Sequence, residues 1–179
     1  VDPWKEAERL AHDPPPGWPR SEAVWNQLKT SASPSLPISD QNPIAGFDPD
    51  AFSRSLHHNV WNGDGSSINT HYQDDFVFEG TTDRRFSGKE AYTEYIREIR
   101  EVFPDLKLGV DEVYWMGNAS EGWLISIRWS AEGTHLGDGI YRQPTGRACQ
   151  IWGITQWLVK DGLVEKEWQL FNEFDLMMQ

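Results

Sequence analysis

Apolar residues recur along this chain first at helical and then at strand spacing, and the change of period organises it. Phe52, Leu56 and Val60 mark one helical face behind Asp48-Pro49, a capping acid followed by proline at the first helical position. They predict a helix to about Trp61, broken by Asn62-Gly63-Asp64-Gly65, and a short helix over 66–71. Phe76 and Phe78 alternate in a strand over 75–80. Ser87-Gly88-Lys89-Glu90 reads as a capping box that opens a helix with the stripe Tyr92, Tyr95, Ile96, Ile99 and Phe103, stopped by Pro104. Beyond it the period falls to two over 106–117, 121–135, 147–160 and 163–174, with hairpin turns at Gly117-Asn118 and Asp161-Gly162. Helices followed by an antiparallel meander predict an α+β fold, its helices packed on one face of a curved antiparallel sheet.

Alternation within the strands assigns their faces. In 121–135 the odd residues Trp123, Ile125, Ile127, Trp129, Ala131 and Gly133 are apolar or small, and His135 falls on their side. In 147–160 both faces are partly apolar: Ile151, Gly153, Thr155 and Trp157 on one, Trp152, Ile154, Gln156 and Leu158 on the other. Such a strand is covered on both sides, by the helices and by a second subunit, which predicts a homodimer through the sheet. In 163–174, Val164, Trp168 and Leu170 share a face with Lys166, and the alternating Glu165, Glu167 and Gln169 read as a solvated face.

Residues 1–48 differ in composition. Pro14-Pro15-Pro16-Gly17-Trp18-Pro19 and the proline- and serine-rich stretch 31–37 sustain neither helix nor ladder, with a short helix expected over Ser21 to Lys29 between them. They read as an N-terminal extension anchored by Trp18 and Trp25, and 49–179 as the folded domain. A net charge of −12 argues against nucleic acid and against an anionic membrane surface as partners. Cys149 is the only cysteine, which excludes an internal disulfide and a thiolate metal cluster. No apolar run reaches the roughly 20 residues of a membrane span, and residues 1–5 lack the features of a signal peptide, so a cytoplasmic location is expected. His71, Asp74 and Asp75 match no strong ligand spacing, and no metal is expected. His57 and His58 are adjacent on a helix, so at most one faces inward, and both read as surface residues; Arg84-Arg85 reads as a solvated loop.

Gly133-Thr134-His135-Leu136-Gly137, Pro144-Thr145-Gly146-Arg147, Asp161-Gly162-Leu163-Val164 and the end Glu167-Trp168 to Asp175 stand in an order that resembles the SnoaL-like polyketide cyclases of the nuclear transport factor 2-like superfamily. The resemblance spans 49–179. It implies helices on the concave face of the sheet, a cone-shaped barrel with a pocket, and cofactor-independent acid/base chemistry of cyclase, isomerase or hydrolase type on a small, mostly apolar cyclic or polyketide-like ligand. By position His135 matches the family's histidine, while Thr155 stands where its catalytic aspartate is expected. Threonine cannot supply a carboxylate, so the acid falls to Asp138, Glu167 or Asp175. The expected catalytic set is therefore His135, Asp138 and Asp175. Trp61, Tyr72, Trp129, Trp152 and Trp168 would shape the cavity, with Gln156 or Asn172 as an oriented polar group. The alternatives are a non-catalytic ligand-binding or assembly module of the same fold and, more weakly, a sugar-binding surface built on exposed tryptophans.

Overall fold

The computed structural model describes Lys5, Arg9 and residues 46–179, so the expected helix at 21–29 and the anchors Trp18 and Trp25 lie outside the described residues. Helix α1 (Pro49–Trp61) starts where the sequence places it: the Asp48 carboxylate accepts from the backbone N–H groups of Asp50 (3.0 Å) and Ala51 (3.1 Å). At its end the Asn62 amide donates to the carbonyl of Leu108 (2.7 Å) and accepts from the N–H of the same residue (2.8 Å), tying the helix to the sheet. Helix α2 (Ser67–His71) leads into β1 (Tyr72–Glu79), and a single 3-10 turn (Thr81–Asp83) leads into the short β2 (Arg85–Ser87).

Helix α3 (Lys89–Val102) buries Tyr92, Tyr95, Ile96, Ile99 and Val102, close to the expected stripe. Its capping box does not form. Ser87 belongs to β2 and pairs with Val77, so the N-cap is Gly88, at φ 90° and without a side-chain capping bond. Four long elements follow, β3 (Lys107–Asn118), β4 (Gly122–Thr134), β5 (Ala148–Lys160) and β6 (Leu163–Phe171), and α4 (Glu173–Met178) ends the chain where strand had been expected to continue.

The strands form one curved six-stranded sheet in the order β2-β1-β6-β5-β4-β3, with the helices on its concave face. All neighbours are antiparallel except β1 and β6, which pair parallel; β2 and α3 carry the chain from β1 to the start of the meander. The odd residues of β4 and β5 point into the core: Ile125, Ile127, Trp129, Thr155 and Trp157 are buried, while Trp152, Ile154 and Gln156 are exposed.

β6 reverses its expected faces. Its register against β5 slips between Leu158–Lys166 and Val159–Val164, so Glu165 is an extra residue at a bulge. Val164 faces inward before the bulge, and the odd residues Glu167 and Gln169 face inward after it. The face read as solvated is the buried one.

Candidate active site

Between the helices and the sheet lies an apolar cavity of about 40 Å³. Trp61 from α1, Tyr95 and Ile99 from α3, Trp129 from β4, Ile151 from β5, Gln169 and Phe171 from β6 and Leu176 from α4 line it, together with Tyr141 from the loop between β4 and β5. Its aromatic walls are held in place by polar contacts behind them. The Trp129 indole donates to Thr155 Oγ1 (3.0 Å), which also meets His57 Nε2 at 3.5 Å. His57 is fully buried, contrary to its reading as a surface residue, because the buried face of α1 runs through Ser53, His57 and Trp61. Burial lowers the His57 pKa to about 3, so the ring is neutral.

At the cavity wall the Tyr141 hydroxyl donates to Glu173 Oε1 (2.8 Å). The same carboxylate accepts from Arg84 Nη2 (2.5 Å) and from the Thr82 hydroxyl. Burial pulls the Glu173 pKa up, but the bonds from Arg84, Thr82 and Tyr141 outweigh it and hold the carboxyl below its ordinary value. Burial, reinforced by the Glu173 charge, pushes the Tyr141 phenol well above its ordinary pKa. Arg84 is thus an ion-pair partner of a buried acid (side-chain exposure 25%) rather than part of a solvated loop.

A second buried carboxylate, Glu167, sits under α3. Tyr92 donates to both its oxygens (3.0 Å each), and Tyr72 (3.2 Å) and Trp157 Nε1 (2.9 Å) donate to Oε2. Burial raises the Glu167 pKa to about 7, with these bonds pulling the other way. Close by, Gln169 accepts from the Tyr95 hydroxyl at a long 3.4 Å, while its own Nε2 is buried without a partner.

The structure brings only some of the expected site residues together. Trp61 and Trp129 line the cavity. Tyr72 is buried beside it as a donor to Glu167 rather than as a wall. Trp152 and Gln156 are exposed on the opposite sheet face, and Trp168 joins them there because the bulge turns the even residues of β6 outward; Arg128 lies 5.7 Å from the Trp152 ring and Lys166 lies 4.6 Å from that of Trp168. Asn172 is exposed and caps α4, accepting from the Asp175 N–H (3.1 Å). His135 is buried on the apolar side of β4, packed on Phe103 (centroids 5.6 Å apart), with Nδ1 3.3 Å from Thr145 Oγ1 and Nε2 unpartnered. Asp138 is exposed and accepts from Gln143 (3.0 Å); Asp175 is half-buried, its pKa raised by burial against an opposing bond from Gln179 (3.2 Å). Among the described residues no group of His, Cys, Asp or Glu is placed to hold a metal ion, and no helix is long and apolar enough to cross a membrane.

Tyr141 and Glu173 were not singled out in the sequence. Asn172 followed by Asp175, a capping amide with an acid in the first turn, is the local signal that a helix rather than strand begins there.

Comparison with known proteins agrees with this architecture. IdmH from Streptomyces antibioticus, a candidate polyketide cyclase, superposes with a TM-score of 0.62 at 18% identity over 73% of this chain and 96% of its own. A candidate SnoaL-like polyketide cyclase from Jannaschia sp. CCS1 gives 0.62 at 16% identity over 71% and 90%. AclR from Streptomyces galilaeus, a candidate hydroxylase, gives 0.58 at 22% identity over 69% and 74%. No curated protein matches the chain. Residues 53–179 match the family described as SnoaL-like polyketide cyclase, and the chain belongs to that family, with its nuclear transport factor 2-like cone fold.

Proposed function

We propose that the chain is a cofactor-independent acid/base enzyme of cyclase, isomerase or hydrolase type, acting in this cavity on a small, mostly apolar cyclic or polyketide-like molecule. The observation that carries the reading is the Tyr141–Glu173 hydrogen bond at the cavity wall (2.8 Å). A substrate proton passes to Tyr141 Oη as the tyrosine hands its own proton to Glu173, and the return step protonates the product. The high pKa of the phenol disfavours its ionising alone, so the two transfers move together. Arg84 keeps the carboxylate anionic and aimed. Across a panel of cyclisable polyketide-like ketones, Tyr141→Phe and Glu173→Gln should each lower turnover at least about 100-fold with unchanged circular dichroism. Loss confined to His135→Ala would move the chemistry to the histidine and overturn this assignment.

A non-catalytic binding or assembly module of the same fold is the second reading, favoured by the small cavity and its close-packed rings. Ligand-dependent quenching of tryptophan fluorescence with no product formed would select it. A reducing cytoplasm suits the lone, buried Cys149.

The partner on the outer sheet face is a second copy of the chain. Tyr114, Met116, Trp152, Ile154 and Leu170 are exposed there, interleaved with Glu112, Arg128 and Lys166. A surface carrying both charges among apolar residues can meet itself across a two-fold axis. Light scattering should report twice the 20.6 kDa chain mass, and Leu170→Glu should halve it. A wild-type monomer at high micromolar concentration would exclude the dimer.

A further inference from the structure

Several polar side chains of the cavity wall are already paired. Tyr141 donates to Glu173, Trp129 to Thr155 and Tyr95 to Gln169 Oε1. Among the described residues, Gln169 is the one cavity-lining residue with a buried side-chain nitrogen or oxygen left unpartnered, its Nε2. Gln169 is 1% exposed, so bulk solvent does not reach it. A buried amide donor without an acceptor costs about 1–3 kcal/mol, and proteins rarely keep one without a use.

The orientation of the amide follows from its neighbour. A phenol is a better donor than acceptor, so Tyr95 takes the carbonyl end of Gln169 and leaves the N–H₂ end free for another acceptor. β6 holds the residue there by strand pairing, with Gln169 opposite Thr155 on the inward face. The surrounding walls are rings and aliphatic groups, and the Glu173 charge nearby is already matched by Arg84.

Taking this cavity as the ligand site, as the proposed function does, we infer that Gln169 is its specificity determinant: it selects uncharged ligands whose apolar body carries a hydrogen-bond acceptor, such as a ketone oxygen, over hydrocarbons of the same shape. A ligand oxygen that accepts from Nε2 removes the cost of the orphaned donor, whereas an isosteric hydrocarbon leaves it in place. An anion would face the Glu173 charge without a free cation at the wall.

Cyclopentanone and methylenecyclopentane differ only by oxygen against methylene, so the pair isolates the hydrogen-bond acceptor. Titrated into the full chain and followed by NMR, the ketone should bind about tenfold more tightly. It should also shift the Gln169 side-chain amide signal, which the alkene should leave in place. Gln169→Leu should weaken the ketone alone and bring the two probes level. Tyr95→Phe should narrow the preference, because the amide is then free to turn over. Equal binding of both probes to the wild-type protein would overturn the inference while leaving the cavity as a ligand site. Failure of both probes to bind would overturn both the inference and the cavity as a ligand site. The amide shift gives the answer even if a variant does not fold.

Discussion

Raising the pH from about 5 to about 8 should destabilise the wild-type protein by about 3 kcal/mol relative to its Glu167→Gln variant. Burial raises the Glu167 pKa from 4.5 to about 7, and each pKa unit is worth about 1.4 kcal/mol. A carboxyl whose folded pKa lies above its unfolded value binds its proton more tightly in the native state. Its contribution is therefore complete below pH 4.5 and is lost as the pH rises through 7. Glutamine does not titrate. It brings one carbonyl oxygen to the donors Tyr72, Tyr92 and Trp157, which should cost about 1–2 kcal/mol at low pH. The variant is then the less stable protein at pH 5 and the more stable one at pH 8, and the two curves of unfolding free energy cross.

His57 acts in the opposite direction. Its pKa falls from 6.5 to about 3, so its contribution is present above 6.5 and lost as the pH falls toward 3. The two buried groups bound a window of stability from both sides, and the wild-type curve alone therefore hides each slope. Subtracting the variant isolates Glu167. Urea unfolding at a series of pH values measures it, and parallel curves for the two proteins would show that the carboxyl is not held in this way.

Much of the scaffold was legible because its causes are local. The Asp48-Pro49 cap, the stripe of α3, the Asp161-Gly162 turn and the inward face of β4 each follow from residues within a few positions of one another. The site was less legible because its causes are distant. Glu167 meets donors 95, 75 and 10 residues away, and nothing around it in sequence separates it from a solvated glutamate. One bulge at Glu165 reverses the parity of β6, which hides Gln169 and sends Trp168 outward. Tyr141 lies in a loop with no periodicity and is buried only because the loop folds back over α3, where the N–H groups of Leu136 and Gly137 both donate to Val102. His135 was placed correctly by parity, yet its neighbours are Thr145 and Phe103 rather than a carboxylate.

Gly153→Ala should cost about 4 kcal/mol, a large share of the total stability of a domain this size. Gly153 pairs with Trp129 across β4 and β5, and the indole lies over the glycine. An added Cβ would stand 2.4 Å from Trp129 Cζ2 and 2.6 Å from the Leu170 carbonyl oxygen. The carbonyl is backbone and belongs to the β5–β6 ladder, so it yields only if the strands part. The indole yields only by rotating, which strains the packed core by about 1–3 kcal/mol. Rotation also breaks the Trp129–Thr155 bond (3.0 Å), leaving a buried indole N–H unpaired at a further cost of about 1–3 kcal/mol. Since Trp129 is a wall of the cavity, the same movement should close the site to ligand. The denaturation midpoint and the indole N–H resonance of Trp129 report the two effects together. A variant within about 1 kcal/mol of wild type, with that resonance unmoved, would show that the sheet absorbs the methyl group and that this glycine does not hold Trp129 in place.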